Sequence, residues 1–175
     1  MIRYTALGDS ITAGESATSP ARAYPGLVLR SLRRSGTQAD GLVLAVPGWT
    51  SGDLEQGLEL NPVTPLSEAT AVTLWVGGND LAQAGLAMAN GAPRSVVEHT
   101  LTGYARHLET MCGLIRKVSP AKLLLCTQYD PFPNTPLSRE GINALNTITT
   151  GVAKRHRATV VPVHSWIDGR QAELL

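Results

Sequence analysis

Apolar runs of five or six residues recur along the chain, and stretches with helical signals lie between them. The runs are Ile2–Leu7, Gly41–Val46, Ala71–Val76, Lys122–Thr127 and Thr159–Val163. Runs this short and this apolar suit strands buried on both faces. Strands that alternate with helices point to a parallel sheet covered by helices, an α/β fold. The 175 residues suit one domain with a real core. No internal repeat, low-complexity segment or linker divides residues 1–175, so a single domain is expected.

The helical stretches carry their own signals. Tyr24–Arg34 has Pro25 in its first turn, Leu27 and Leu32 placed to face inward, and Gly36 to stop it. Ser51 or Asp53 can cap a helix running through Leu60, followed by a loop from Asn61 to Pro65. The longest helix falls within Arg94–Val118. There Val97, Leu101, Tyr104, Leu108, Met111 and Ile115 recur at steps of four and three and make one apolar stripe. His99 and His107 fall between stripe positions and read as surface or boundary residues. Arg139–His156 forms the next helix, with Ile142, Leu145, Ile148 and Val152 on one side. The basic clusters Arg30–Arg34 and Lys154–Arg157 read as solvated helix ends, where cations meet the negative end of the dipole.

Composition removes several function classes. A formal net charge of +1 argues against a general nucleic-acid or acidic-membrane binder. Cys112 and Cys126 lie in apolar surroundings and read as buried small hydrophobes, with no disulfide framework and no metal-ligand spacing. No apolar stretch reaches membrane-spanning length and the first strand begins at once, so a cytoplasmic protein is the default expectation.

In a parallel sheet the carboxyl ends of the strands point the same way. Gly8-Asp9-Ser10-Ile11, the turn at Gly48 and Gly77-Gly78-Asn79-Asp80 follow the first three expected strands. They should share one edge, where open α/β sheets bind ligands. Ser10 offers a hydroxyl nucleophile. Ser10 and Gly48 offer backbone N–H groups, and Asn79 a side-chain NH₂, as donors to an oxyanion. Each stretch also reads as an ordinary turn, with Ser10 capping the next helix.

These three stretches, in this order and spacing, resemble the first three sequence blocks of the SGNH hydrolases, also called GDSL esterases/lipases. The Tyr129-Asp130-Pro131 loop and the Leu145-Asn146 pair extend the likeness over essentially the whole chain. The resemblance implies a flavodoxin-like three-layer α/β/α sandwich with a five-stranded parallel sheet in the order 2-1-3-4-5. It implies a serine esterase working through an acyl-enzyme on Ser10. The oxyanion hole would come from the Ser10 and Gly48 N–H groups and the Asn79 side chain, with no cofactor. Asp9 would brace the loop. The scarcity of aromatic residues suggests short or carbohydrate-borne acyl groups, with Trp49 and Trp166 as candidate pocket walls. A catalytically dead ligand-binding module on the same pocket is the alternative. A nucleotide binder is a poor third, since no G-x-G-x-x-G or P-loop lysine is present.

The family's Asp-x-x-His block, which supplies the base for the serine, has no counterpart here. Asp168-Gly169-Arg170-Gln171 ends in Gln where that block has His. The block is therefore expected just beyond Leu175, together with the family's final helix. Without that helix, apolar surface around Val160, Val161 and Val163 should be bared and favour self-association. His164 is the best substitute base within the chain. Three strand intervals would separate it from the first strand by roughly 14–19 Å.

Overall fold

The computed structural model describes residues 1–60 and 64–174. In chain order it has β1 (Ile2–Gly8), α1 (Ser10–Ala13), a 3₁₀ turn (Pro20–Arg22), α2 (Tyr24–Arg34) and β2 (Ala39–Ala45). Next come α3 (Ser51–Leu60), α4 (Thr64–Ser67), β3 (Ala71–Trp75), α5 (Gly78–Ala89) and α6 (Ser95–Val118). The chain continues through β4 (Lys122–Cys126), α7 (Pro136–Arg155), β5 (Thr159–Val161), α8 (Val163–Ile167) and α9 (Gln171–Leu174). The five strands pair in parallel in the order β2-β1-β3-β4-β5, flanked by helices on both faces.

Alternation along each strand sends side chains to opposite layers. Leu7, Val72, Leu74, Leu123 and Leu125 meet the main core, built with Leu54 and Leu58 of α3, Tyr104, Leu108, Met111 and Ile115 of α6, and Leu145 and Val152 of α7. Trp75 and Cys126 belong to a smaller cluster with Val163, against which Tyr24 of α2 and Ile167 of α8 pack. The Tyr24 and Trp75 rings meet at a tilt, with centroids 5.4 Å apart. Both cysteines are free and buried.

Several expectations need correction. Leu27 is exposed; α2 instead presents Pro25 and Leu29 inward, and a Cβ at Gly41 would lie 2.5 Å from Leu29 Cδ1. Residues 78–89 form a full helix where the Gly77-Gly78-Asn79-Asp80 composition suggested only a turn. The fifth strand stops at Val161, because Pro162 lacks an N–H and caps α8. The expected loop from Asn61 to Pro65 lies outside the described residues for 61–63, while Thr64 and Pro65 open α4. The bared patch at Val160, Val161 and Val163 is not observed, since Val163 is buried and its neighbours half-buried. Exposed apolar side chains lie instead at the opposite edge of the sheet, at Leu42, Val43 and Val46.

Candidate active site

Strand register sets the level of the site. Gly8, the last residue of β1, stands opposite Ala45 of β2 and Trp75 of β3. All three strands therefore end together, and the turns that follow share one edge, as the sequence predicts. Gly8 is required by crowding and not by an unusual φ. A Cβ there would sit 2.2 Å from Thr12 Oγ1 and 2.3 Å from the Trp75 carbonyl oxygen.

Asp9, and not Ser10, caps α1: its Oδ1 accepts the Ile11 N–H at 3.1 Å. Gly14, at φ +82°, ends the turn in the left-handed region. Asp9 is buried, and desolvation raises its carboxyl to about 6, against the lowering effect of the Ile11 bond. Ser10 is then the first residue of α1, half-buried, and its hydroxyl has no hydrogen-bond partner among the described residues.

Asn79 lies in the first turn of α5, and Gly77 before it adopts φ +124°. Tyr104 of α6 closes over Gly77, where a Cβ would come within 2.7 Å of the ring. Asn79 Nδ2 donates to the Trp49 carbonyl oxygen at 2.8 Å. That partner can only accept, which fixes the amide orientation and leaves one Nδ2 hydrogen free. The same bond ties α5 to the Gly48 turn, in which Gly48 has φ +85° and open space above its Cα.

Ser10 and Asn79 line one cleft of about 670 Å³. Its walls are mostly aliphatic: Leu81, Leu86 and Met88 of α5, Val97 of α6, and Leu137 and Ile142 of α7, with Phe132 at the rim. Gly48 is not among the lining residues. Neither tryptophan is a wall: Trp49 packs over Gly57, whose Cβ would meet the ring at 2.8 Å, and Trp166 is exposed. A second hollow of similar size lies between α2 and β2, lined by Leu29, Arg30 and Leu42. It contains neither a free hydroxyl nucleophile nor the converging turns.

The loop after β4 lines the cleft as well, and side-chain hydrogen bonds hold it. Asn146 of α7 accepts from Gln128 N–H at 2.7 Å and donates to the Gln128 carbonyl at 2.8 Å. Asp130 Oδ1 accepts from the Phe132 N–H and the Ser138 hydroxyl. The Gln128 amide oxygen accepts from the Trp75 indole at 3.2 Å. The amide beside Leu145, on the buried side of α7, is the signal in the sequence for this role.

His164 does not reach the cleft. It sits in α8, where its Nδ1 is 2.7 Å from Thr127 Oγ1 and its backbone N–H donates to the same oxygen. The Gln171 side-chain amide donates to the Asp130 carbonyl, at 3.5 Å. His99 is exposed, His107 bonds Ser51, and His156 pairs with Glu109. No histidine lines the cleft among the described residues. Nor do those residues include a group of three side chains able to hold a metal, or a helix long and apolar enough to cross a membrane.

A parallel α/β sheet with a serine turn, an asparagine and an apolar cleft at its carboxyl edge has the architecture of a hydrolase of the esterase/lipase type. The GDSL-like lipase/acylhydrolase family matches residues 6–175, and the chain belongs to that family. The lipase Lip_vut3 from a goat rumen metagenome is similar in structure, with a TM-score of 0.86 at 22% identity, over 100% of this chain and 87% of that one. AlinE4, an SGNH-hydrolase family esterase, gives a TM-score of 0.73 at 20% identity, over 99% and 82%. TesA gives 0.71 at 23%, over 97% and 83%. No curated protein matches the chain by sequence.

Proposed function

We propose that the chain is a serine esterase that cleaves carboxylic esters through an acyl-enzyme on Ser10. Ser10 Oγ attacks the ester carbon and gives its proton to a base. The C–O bond to the alcohol breaks, the alcohol leaves protonated, and water then releases the acid from Ser10. The Ser10 N–H, the Gly48 N–H and the free Asn79 Nδ2 hydrogen receive the oxyanion. The observation that carries this reading is the sharing of one cleft by an unpartnered Ser10 hydroxyl and an Asn79 amide with one hydrogen free. Gly48 enters through the Trp49–Asn79 tie alone. No histidine lines the cleft among the described residues, so this reading requires a base from outside that lining.

The aliphatic walls support an acyl arm along α5, longer than the small number of aromatic residues suggests. From Gly78 to Met88 the helix rises about 15 Å. Each methylene that enters such a cleft contributes about 0.8 kcal/mol, a roughly fourfold gain in kcat/KM. A p-nitrophenyl ester series is expected to gain by that factor per carbon beyond acetate before reaching a plateau. A series falling from acetate onwards restores the short-acyl reading.

The absence of a histidine from the lining also supports a second reading, a ligand-binding module without turnover. Hydrolysis of p-nitrophenyl butyrate by residues 1–175, beside Ser10→Ala and with and without added imidazole, separates the two. The esterase reading expects turnover that imidazole raises in the wild-type chain and not in Ser10→Ala. Equal rates in both proteins under both conditions, with a carboxylate still bound, select the binding module.

A further inference from the structure

Behind the Gly48 turn and Asn79 runs a line of hydrogen bonds that no step of the proposed reaction uses. Asp80, next to Asn79, is buried and faces Ser51, the first residue of α3. Ser51 Oγ donates to Asp80 Oδ1 at 2.5 Å and Ser51 N–H to Oδ2 at 2.9 Å. Ser51 Oγ is also 2.9 Å from His107 Nδ1 of α6. On the far side of the ring, Arg106 lies 3.1 Å from His107 Nε2, and Glu55 Oε2 lies 3.7 Å from the same atom.

The donors fix the direction of this line. A guanidinium only donates, so Nε2 accepts from Arg106 and the ring proton sits on Nδ1. Nδ1–H then donates to Ser51 Oγ, whose own hydrogen goes to Asp80. Burial raises the Asp80 carboxyl above the ordinary carboxylate range, while the two Ser51 donors act to lower it. The His107 ring is also packed onto Gly52, where a Cβ would lie 3.2 Å from Cε1.

The placement matters because, among the described residues, one other side-chain hydrogen bond joins the site's two turns. Trp49 to Asn79 is the first rung between them, and Ser51, the first residue of α3, to Asp80 of α5 is the second. Wedged from α6, His107 closes the second rung. We infer that Asp80, Ser51 and His107 are positioning residues that hold the Gly48 N–H and the Asn79 amide at a fixed separation. The inference rests on the oxyanion roles proposed above. None of the three residues lines the cleft or touches the reacting atoms. They act through the turns they hold.

Two measurements test this, one of which needs no turnover. In ¹H–¹⁵N spectra, Ser51→Ala and His107→Leu are expected to shift both the Gly48 amide and the Asn79 side-chain NH₂ signals. Ser51→Thr, which keeps the hydroxyl, is expected to restore them, with Val152 and Ala153 of α7 unmoved in all three. His107→Leu leaves the Ser51–Asp80 rung in place, and a thermal melt confirms that each variant is folded. Unmoved Gly48 and Asn79 signals in folded His107→Leu overturn the inference. Where turnover is present, Ser51→Ala is expected to lower kcat roughly tenfold to a hundredfold with KM unchanged. In an Asn79→Ala background the same change is expected to cost less than about twofold, because coupled groups are not additive. Additive losses overturn it. Equal inactivity of wild type and Ser10→Ala would count against ester cleavage itself, and the spectra would still decide whether the rung positions the turns.

Discussion

Buried beneath the Ser10 turn, Asp9 keeps its proton to about pH 6, against an ordinary value of 3.8, because desolvation outweighs the Ile11 bond. Between those two values the unfolded chain releases the proton first while the folded chain still holds it. Stability therefore falls as pH rises through that window, by about 3 kcal/mol in all. Asp9→Asn keeps an acceptor for the Ile11 N–H and removes the titration. It is expected to match the wild type below pH 3.8 and to exceed it at neutral pH, as read by urea denaturation at a series of pH values. A wild-type stability flat between pH 3.8 and 6 would show that Asp9 titrates normally. Gly8 is the other residue whose chemistry the neighbours decide. Thr12 and the Trp75 carbonyl leave it no room for a Cβ.

At the scale of elements, the cleft depends on how α7 holds the loop after β4. Asn146 satisfies both backbone groups of Gln128, a buried residue at the cleft wall. Removing both partners with Asn146→Ala leaves two buried polar groups unpaired, at about 2–4 kcal/mol together. Thermal denaturation is expected to show that loss, and hydrogen exchange at Gln128 is expected to quicken more than at Leu123 within β4. Uniform exchange across β4 would assign the loss to global packing. Helix α5 makes the same point in a different way. Its Gly77-Gly78-Asn79-Asp80 start has turn chemistry, yet Leu81, Ala84 and Leu86 continue it as a helix because Ala84 is buried and Leu81 packs against the main core.

Across the whole molecule the two faces of the sheet are unequal. The side covered by α3, α6 and α7 carries nearly all of the large buried side chains, while the other side holds the small cluster of Trp75, Cys126 and Val163. Leu108 is fully buried on the first side, and Leu108→Ala is expected to cost about 2–5 kcal/mol. Val163→Ala on the second side is expected to cost roughly 1–2 kcal/mol. For a chain of this size that difference separates the two melting temperatures by several degrees. Similar losses at both positions would show that the second face is packed as tightly as the first.

The sequence by itself determined the alternation of strands and helices, the buried stripe of α6 from Tyr104 to Ile115, and the turns that carry Ser10, Gly48 and Asn79. Those features are local, since a period of hydrophobicity or a glycine turn is set within a few residues of chain. Only the tertiary structure decided which side of α2 faces inward, where the fifth strand ends, and that His164 is tied to Thr127 away from the cleft. It also decided that His107, to all appearance a boundary residue on a long helix, reaches Ser51 and through it Asp80. Contacts of this kind join residues 29 and 56 positions apart. They are fixed by strand register and helix packing, which no local pattern of residues encodes.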